Sequence, residues 1–406
     1  MTAQLTELDQ ARSIVLERAT PLGIERVPLR EALGRRLAED VAAEEPVPAF
    51  DNSAMDGFAV RAEDTGGAGP DAPVALSLVG ESRAGRPAGV PLGPGEAIGI
   101  STGAVVPSGA DAVVRVEEAR AEDGRVLVAC EVEAGCDIRR AGEDIESGET
   151  VLTGGARIGP AELGVLASLG LDAVACRRRP RVAIITSGDE LLEPGEAMRP
   201  GGVRNSNSYS VPALAQLAGA EAVVAGAARD DLEATRAAIE PALGADVVVL
   251  CGGVSVGAHD HVKRALADLG AEQAFWGVAL KPGRPTWFGA RGSTLVFGLP
   301  GNPVSAMVTF VLLVRPALDA LGGGPPGNRR AMARLAADYE KLPGRTHAVR
   351  CRLEAREDGW HAHPTKEQGS HILTSMLGAD CLALIPSASG PLRAGERVEI
   401  ELLDRG

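Results

Sequence analysis

Short apolar, β-branched runs ending in glycine-rich turns, each followed by helical spacing, fill the stretch from Arg181 to Leu321. The pattern predicts strands at Val182–Ile185, Glu221–Ala225, Asp246–Leu250 and the pair Thr286–Phe288 with Leu295–Phe297. Helical patterns lie between or after them at Ser208–Leu217, Leu232–Leu243, His261–Leu269 and Pro303–Leu321. This rhythm belongs to an open α/β sheet, whose ligand crevice lies off the carboxyl ends of its strands. Pro303–Leu321 is apolar nearly all round, which predicts a helix buried against that sheet.

The rest of the chain reads differently. Leu5–Ala19 has helical spacing that Thr20-Pro21 stops, and a second helical pattern covers Leu29–Leu37 before the Pro-broken link EEPVPAF. The polar segment FDNSAMDGFAVR enters a strand at Phe58, and from Pro73 to Val151 every pattern is β. PAELGVLASLG, from Pro160, predicts a short helix. After the linker LGGGPPGN, five alternating runs predict a small β-barrel interrupted by one polar helical turn, QGSHILTSML. The expected division is a linking α+β domain (28–48 and 146–178), an inserted β domain (49–145), an α/β domain (1–27 and 179–323) and a C-terminal β-barrel-like domain (328–406).

Composition narrows the function. At 406 residues the chain is too long for one core. Its net charge of -14 argues against a general nucleic-acid binder. The six cysteines show no metal-ligand spacing and read as reduced, mostly buried thiols. With no signal pattern and no run approaching the ~20 apolar residues of a membrane span, a soluble cytoplasmic protein is expected.

Candidate chemistry collects at the turns. Asp51, Asn52, Ser53 and Asp56 suit Asx-type turns or ligand contacts, and both readings stand. Glu190 follows the turn carrying Ser187 and Gly188, Asp230 opens a helix, and Asp260 follows the loop GGVSVG. Each acid alone fits a helix first turn. Three at the carboxyl ends of successive strands suit Mg²⁺ beside a phosphate. His259 and His261 flank Asp260 at a spacing that disfavours zinc on a helix. Gly252, Gly253, Ser255 and Gly257 of GGVSVG resemble a phosphate cradle without being a Walker loop. Lys281 and Arg284 of KPGRP add cations suited to an oxyanion. In the turn Pro300-Gly301-Asn302-Pro303, Asn302 can cap and Pro303 fits the first helical position, leaving amides for an anion. No G-x-S-x-G elbow appears, and Ser305 has no adjacent base, so acyl transfer is disfavoured.

Together, FDNSAMDG, ISTGAVVPSGADAVV, IRRAGEDI, TSGDEL, CGGVSVGAHD, KPGRP, GLPGNPVSA and QGSH resemble the molybdopterin molybdenumtransferases, the MoeA family to which the gephyrin E domain is related. The resemblance spans essentially the whole chain. It implies an elongated four-domain fold with a three-layer α/β/α domain of the molybdopterin-binding type. It also implies insertion of molybdenum from molybdate into adenylylated molybdopterin with Mg²⁺, releasing AMP. A homodimer with composite active sites is implied, and the molybdopterin adenylyltransferase as a delivering partner. By motif, Asp56, Thr102, Arg139, Asp144, Lys281, Pro300 and Pro303 match catalytic positions; Glu190, Asp230 and Asp260 match metal positions; Arg350 and Ser370 match substrate positions. Gly277 stands where the family usually has lysine, and Phe58 where tyrosine is common. A weakened paralogue acting as a molybdopterin-binding scaffold is therefore the alternative; a nucleotide hydrolase on the same α/β unit is a further rival.

Overall fold

The computed structural model describes residues 5–229, 231–254, 261–325, 329–365 and 367–403. The chain forms two compact units, one of Met1–Ala38, Gly155–Ile158 and Val174–Gly406, the other of Glu39–Gly154 and Gly159–Ala173.

The second unit is built on a six-stranded sheet of β1 (Gly57–Val60), β2 (Val74–Ser82), β3 (Glu96–Ile100), β4 (Ala112–Arg115), β5 (Ala119–Glu122) and β6 (Arg125–Val128), in the order β4-β1-β3-β2-β6-β5. Alternation along β1 decides its two faces. Phe58 and Val60 enter one apolar cluster, and Ala59 enters the other. β5 is a short, largely exposed strand whose only apolar residues are Ala119 and Ala121, and it was not expected. The helix Pro160–Ser168 opens as predicted, with Glu162 accepting from the Gly159 amide at 2.9 Å.

In the first unit, β7 (Arg181–Ser187), β8 (Glu221–Ala228), β9 (Val247–Cys251), β10 (Glu272–Trp276), β11 (Trp287–Arg291) and β12 (Thr294–Leu299) form a sheet in the order β8-β7-β9-β12-β11-β10. The first four are parallel, and β11 runs antiparallel to both of its neighbours, β12 and β10. The three expected single strands and the expected pair are present. β10 is an addition, because EQAFW lacks the long apolar run of a central strand. Helices α1 (Leu8–Leu16), α2 (Asn207–Leu217), α3 (Leu232–Ala242), α4 (Val262–Asp268) and α5 (Pro303–Leu321) cover it. Val182 and Ile184 face α1, α2 and α5, whereas Ala183 and Ile185 face α3 and α4. That is a three-layer α/β/α arrangement. α5 is long and apolar enough to cross a membrane, but 89% of its apolar window is buried, so its composition is explained by the core. Its middle, Phe310–Val314, widens into a π-turn.

One helical expectation fails. Leu29–Leu37 forms only a 3-10 turn at Leu29–Glu31, and Leu37 bridges to Cys176 instead. The helical turn expected within QGSHILTSML is the 3-10 turn Leu373–Met376.

The C-terminal strands β13 (Arg330–Leu335), β14 (Thr346–Arg356), β15 (Gly359–Pro364), β16 (Cys381–Ile385) and β17 (Arg397–Leu402) close a ring in the order β14-β15-β13-β17-β16. This five-stranded barrel is fastened to the α/β layer twice. Leu280 and Lys281 pair in parallel with Thr346 and His347 of β14. On β17, the buried Glu401 carboxylate accepts from Arg12 of α1 at 3.0 Å and Arg315 of α5 at 2.5 Å. Arg330 of β13 stands 3.4 Å away.

Two predictions follow from this joint. Glu401→Ala leaves buried guanidinium groups uncompensated and is expected to destabilise the unit by about 3–5 kcal/mol, read by chemical denaturation. His347, buried and bonded through Nδ1 to the Tyr339 hydroxyl at 3.2 Å, is pushed from 6.5 down to about 4 by burial and then by Lys281, Lys341 and Arg345. Its neutral ring therefore contributes stability that is complete above pH 6.5 and is lost as pH falls toward 4. His347→Gln should flatten that slope, which reaches about 1.4 kcal/mol per pH unit, in denaturation series run across this window.

Candidate active site

At the carboxyl ends of β7, β9 and β12, three turns enclose a cavity of about 450 Å³. Ser187 and Glu190 line it from the first turn, Gly252 and Gly253 from the second, and Pro300, Gly301, Asn302 and Pro303 from the third. Gly188 belongs to the first turn, and the Glu190 carboxylate lies against it so closely that a Cβ would collide. Gly252 has a φ of 99°, and a Cβ there would sit 2.6 Å from the Ser187 carbonyl oxygen. Only glycine lets the two turns approach this way.

The segment after β7 is closed by the small ladder Leu191–Leu192 with Val203–Arg204. Asn205 then donates to Thr186 Oγ1 at 3.0 Å and to Glu193 Oε1 at 2.8 Å. Asn207 donates through Nδ2 to the Gly301 carbonyl at 2.8 Å, fixing the third turn. Its Oδ1 is buried without a partner. In the sequence, the run Arg204–Ser208 gave only the start of a helix, and the asparagines' roles went unrecognised.

A second cavity, of about 570 Å³, adjoins the first at Pro285, Pro300 and Asn302. Lys281, Arg284 and Arg345 line it together with Ser370, and among the described residues no acid lines it. Arg345 was not among the expected residues, although the tripeptide Pro-Gly-Arg occurs both at 282–284 and at 343–345. The β14 pairing at Lys281 is what brings the two copies to one cavity. Asn302 occupies the helix N-cap position, but its side chain makes no cap; Nδ2 donates to Ser370 Oγ at 3.3 Å instead.

Arg350 departs from its expected place. Its buried guanidinium donates to Ser375 Oγ at 3.2 Å and to the Glu367 and Gly369 carbonyls at 3.4 and 3.3 Å. It lines neither cavity and instead shapes the loop that carries Ser370. Gly277 has a φ of 86°, and a Cβ would meet Leu5 at 2.9 Å. The local backbone therefore selects glycine where the resemblance expects lysine.

Of the three expected metal ligands, Glu190 lines the first cavity, while Asp230 and Asp260 lie outside the described residues, as do Ser255 and Gly257. Among the described residues no group of three or more His, Cys, Asp or Glu side chains forms a metal cage.

In the second unit, Asp56 accepts from the Thr102 amide at 2.7 Å and from its hydroxyl at 3.0 Å. Those bonds, the amide first, hold its carboxyl below the usual range. Arg139 lies on the two-residue strand paired with Asn52 and Ser53. Asp51 accepts from Arg140 at 2.6 Å and from the Ala141 amide at 2.8 Å. Asp144 sits exposed in the loop that follows, its amide bonded to the Val47 carbonyl at 3.0 Å. Asp56, Thr102 and Arg139 are thus linked through the Asn52–Ser53 strand, which the Gly103 amide also joins. Asn52 also uses its side chain locally, on the Phe50 carbonyl at 3.2 Å.

Comparison with known proteins bears on this geometry. Residues 6–170 match the MoeA N-terminal region (domain I and II), 183–320 the probable molybdopterin binding domain, and 332–403 the MoeA C-terminal region (domain IV). A molybdopterin molybdenumtransferase of Haemophilus influenzae is 37% identical over 97% of this chain and 98% of its own length. One from Bacillus subtilis is also 37% identical, over 93% of this chain and 90% of its own. The crystal structure of a molybdopterin biosynthesis MoeA protein from Pyrococcus horikosii superposes with a TM-score of 0.84 at 36% identity, covering 98% of this chain and 99% of that one. Full-length similarity at this level, on a fold whose crevice and cationic cavity adjoin, establishes that the chain belongs to the molybdopterin molybdenumtransferase family.

Proposed function

We propose that this transferase of molybdenum cofactor biosynthesis inserts molybdenum from molybdate into adenylylated molybdopterin with Mg²⁺, releasing AMP. The observation that carries the reading is the pairing of a glycine-lined crevice with an adjoining cavity whose charged lining, among the described residues, is cationic. A pyrophosphate-bearing ligand fits the first, where backbone and hydroxyl groups approach closely. A tetrahedral dianion fits the second, between Lys281, Arg284 and Arg345 with the Ser370 hydroxyl.

Mg²⁺ is commonly held by one or two carboxylates completed by phosphate oxygens and water. Glu190 at the crevice suits that donor set, with Asp230 and Asp260 as the further ligands implied by motif. When bound there, the ion supplies charge stabilisation to the phosphoanhydride. The chain's own groups do the remainder. Asn207 and Asn302 hold the Pro300–Pro303 turn in place, and the three cations keep the dianion beside the ligand in the crevice. Arg350 acts by positioning the Ser370 loop.

We place the protein in the cytoplasm as a homodimer, supplied by a molybdopterin adenylyltransferase. In that dimer the polar surface around Asp56, Thr102, Arg139 and Asp144 of one subunit completes the crevice of its partner. The full-length match to enzymes, and the presence of Arg345 in the cavity despite Gly277, favour turnover over the scaffold alternative.

Purified protein given molybdopterin-AMP, molybdate and Mg²⁺ should release AMP and reconstitute a molybdoenzyme; AMP at background level would leave only the scaffold. Lys281→Ala is expected to lower that rate on the order of 10²-fold with unchanged circular dichroism. Asp56→Ala and Lys281→Ala subunits, each inactive alone, should regain activity when mixed, because one of the hybrid's two sites then lacks both changes. Sequential affinity purification on two different subunit tags verifies that dimers exchanged, and exchange without recovery would rule out the composite site.

A further inference from the structure

A third cavity, of about 690 Å³, opens beside the cationic one and shares Lys281 and Arg345 with it. Lys341 and His347 line it further in, and Glu340 and Leu342 line it from exposed positions, Leu342 being 84% exposed. Lys341 is itself 5% exposed and donates to the Pro386 and Ser387 carbonyls at 2.5 and 3.4 Å, so its charge is fixed in place. The three cavities thus form a series: the glycine-lined crevice, the cationic cavity, then this one.

Two physical requirements meet here. A chain of net charge -14 repels a dianion at long range, so capture needs a local positive field. A pterin nucleotide filling the crevice would occupy the Pro285, Pro300 and Asn302 wall that the two cavities share. A small oxyanion then needs a separate way in.

We infer that the cavity lined by Lys341 and His347 is the entrance through which molybdate reaches Lys281 and Arg345. This rests on the function proposed above. Lys341 extends the positive field outward from the shared pair. His347 reports the same field, since after burial the three cations are what depress it. Glu340 is the one acid among the described lining residues and sits on the exposed side, where it opposes capture.

The test uses Leu342→Glu and Glu340→Gln, which alter the charge of the mouth without touching the crevice or the residues assigned to binding. At low ionic strength Leu342→Glu should raise the KM for molybdate about three- to tenfold, and Glu340→Gln should lower it. For both, kcat and the KM for molybdopterin-AMP stay at the wild-type values, and the differences shrink in 0.5 M salt, a concentration chosen on the scale of strong screening. A molybdate KM unchanged in both variants, in an enzyme that turns over, overturns the entrance and leaves the proposed function intact. Absence of molybdate-dependent turnover in the wild type overturns both.

Discussion

A single carboxylate with almost no access to water holds the larger unit in register. Glu401 collects Arg12, Arg315 and Arg330, one from the N-terminal helix, one from the core helix and one from the barrel itself. Removing such charges from water is costly, and the arrangement repays that only if all partners stay in place. Its value is thus geometric. With the barrel fixed against α5, the Leu280–Lys281 ladder and the Asn302–Ser370 bond fall where two cavities can share walls.

From that constraint the site's electrostatics follow. The cations that line the second cavity come from segments some sixty residues apart, and among the described residues no acid intrudes on them. The first cavity differs, with both Glu190 and Arg204 in its lining beside close-packed glycine turns. A site that handles a metal ion and an oxyanion needs both environments without letting them neutralise each other. Here the Pro300–Asn302 turn stands between them and belongs to both linings.

Much of this was legible in the sequence because it depends on local signals. The strands from Val182 to Phe297 announced themselves by β-branched runs, and the turns by glycine and proline. What escaped was set by tertiary partners. Leu29–Leu37 has helical spacing, yet Leu37 pairs with Cys176, which no window around residue 30 contains. Arg345 looked like an ordinary turn residue until β14 laid it beside Lys281. Arg350 and Asn302 were recognised as important, but for contacts other than the ones they make. A motif fixes which residue stands at a position; packing decides where its side chain points.

His347 carries a quieter consequence. Because its ring stays neutral down to about pH 4, the charge that surrounds the Lys281 trough does not change over the range in which living cells operate. A histidine left in water would add a proton on mild acidification and tighten the grip on any anion, delaying its onward passage. Keeping that ring dry makes the trough behave as a constant-field element, indifferent to swings in cellular acidity.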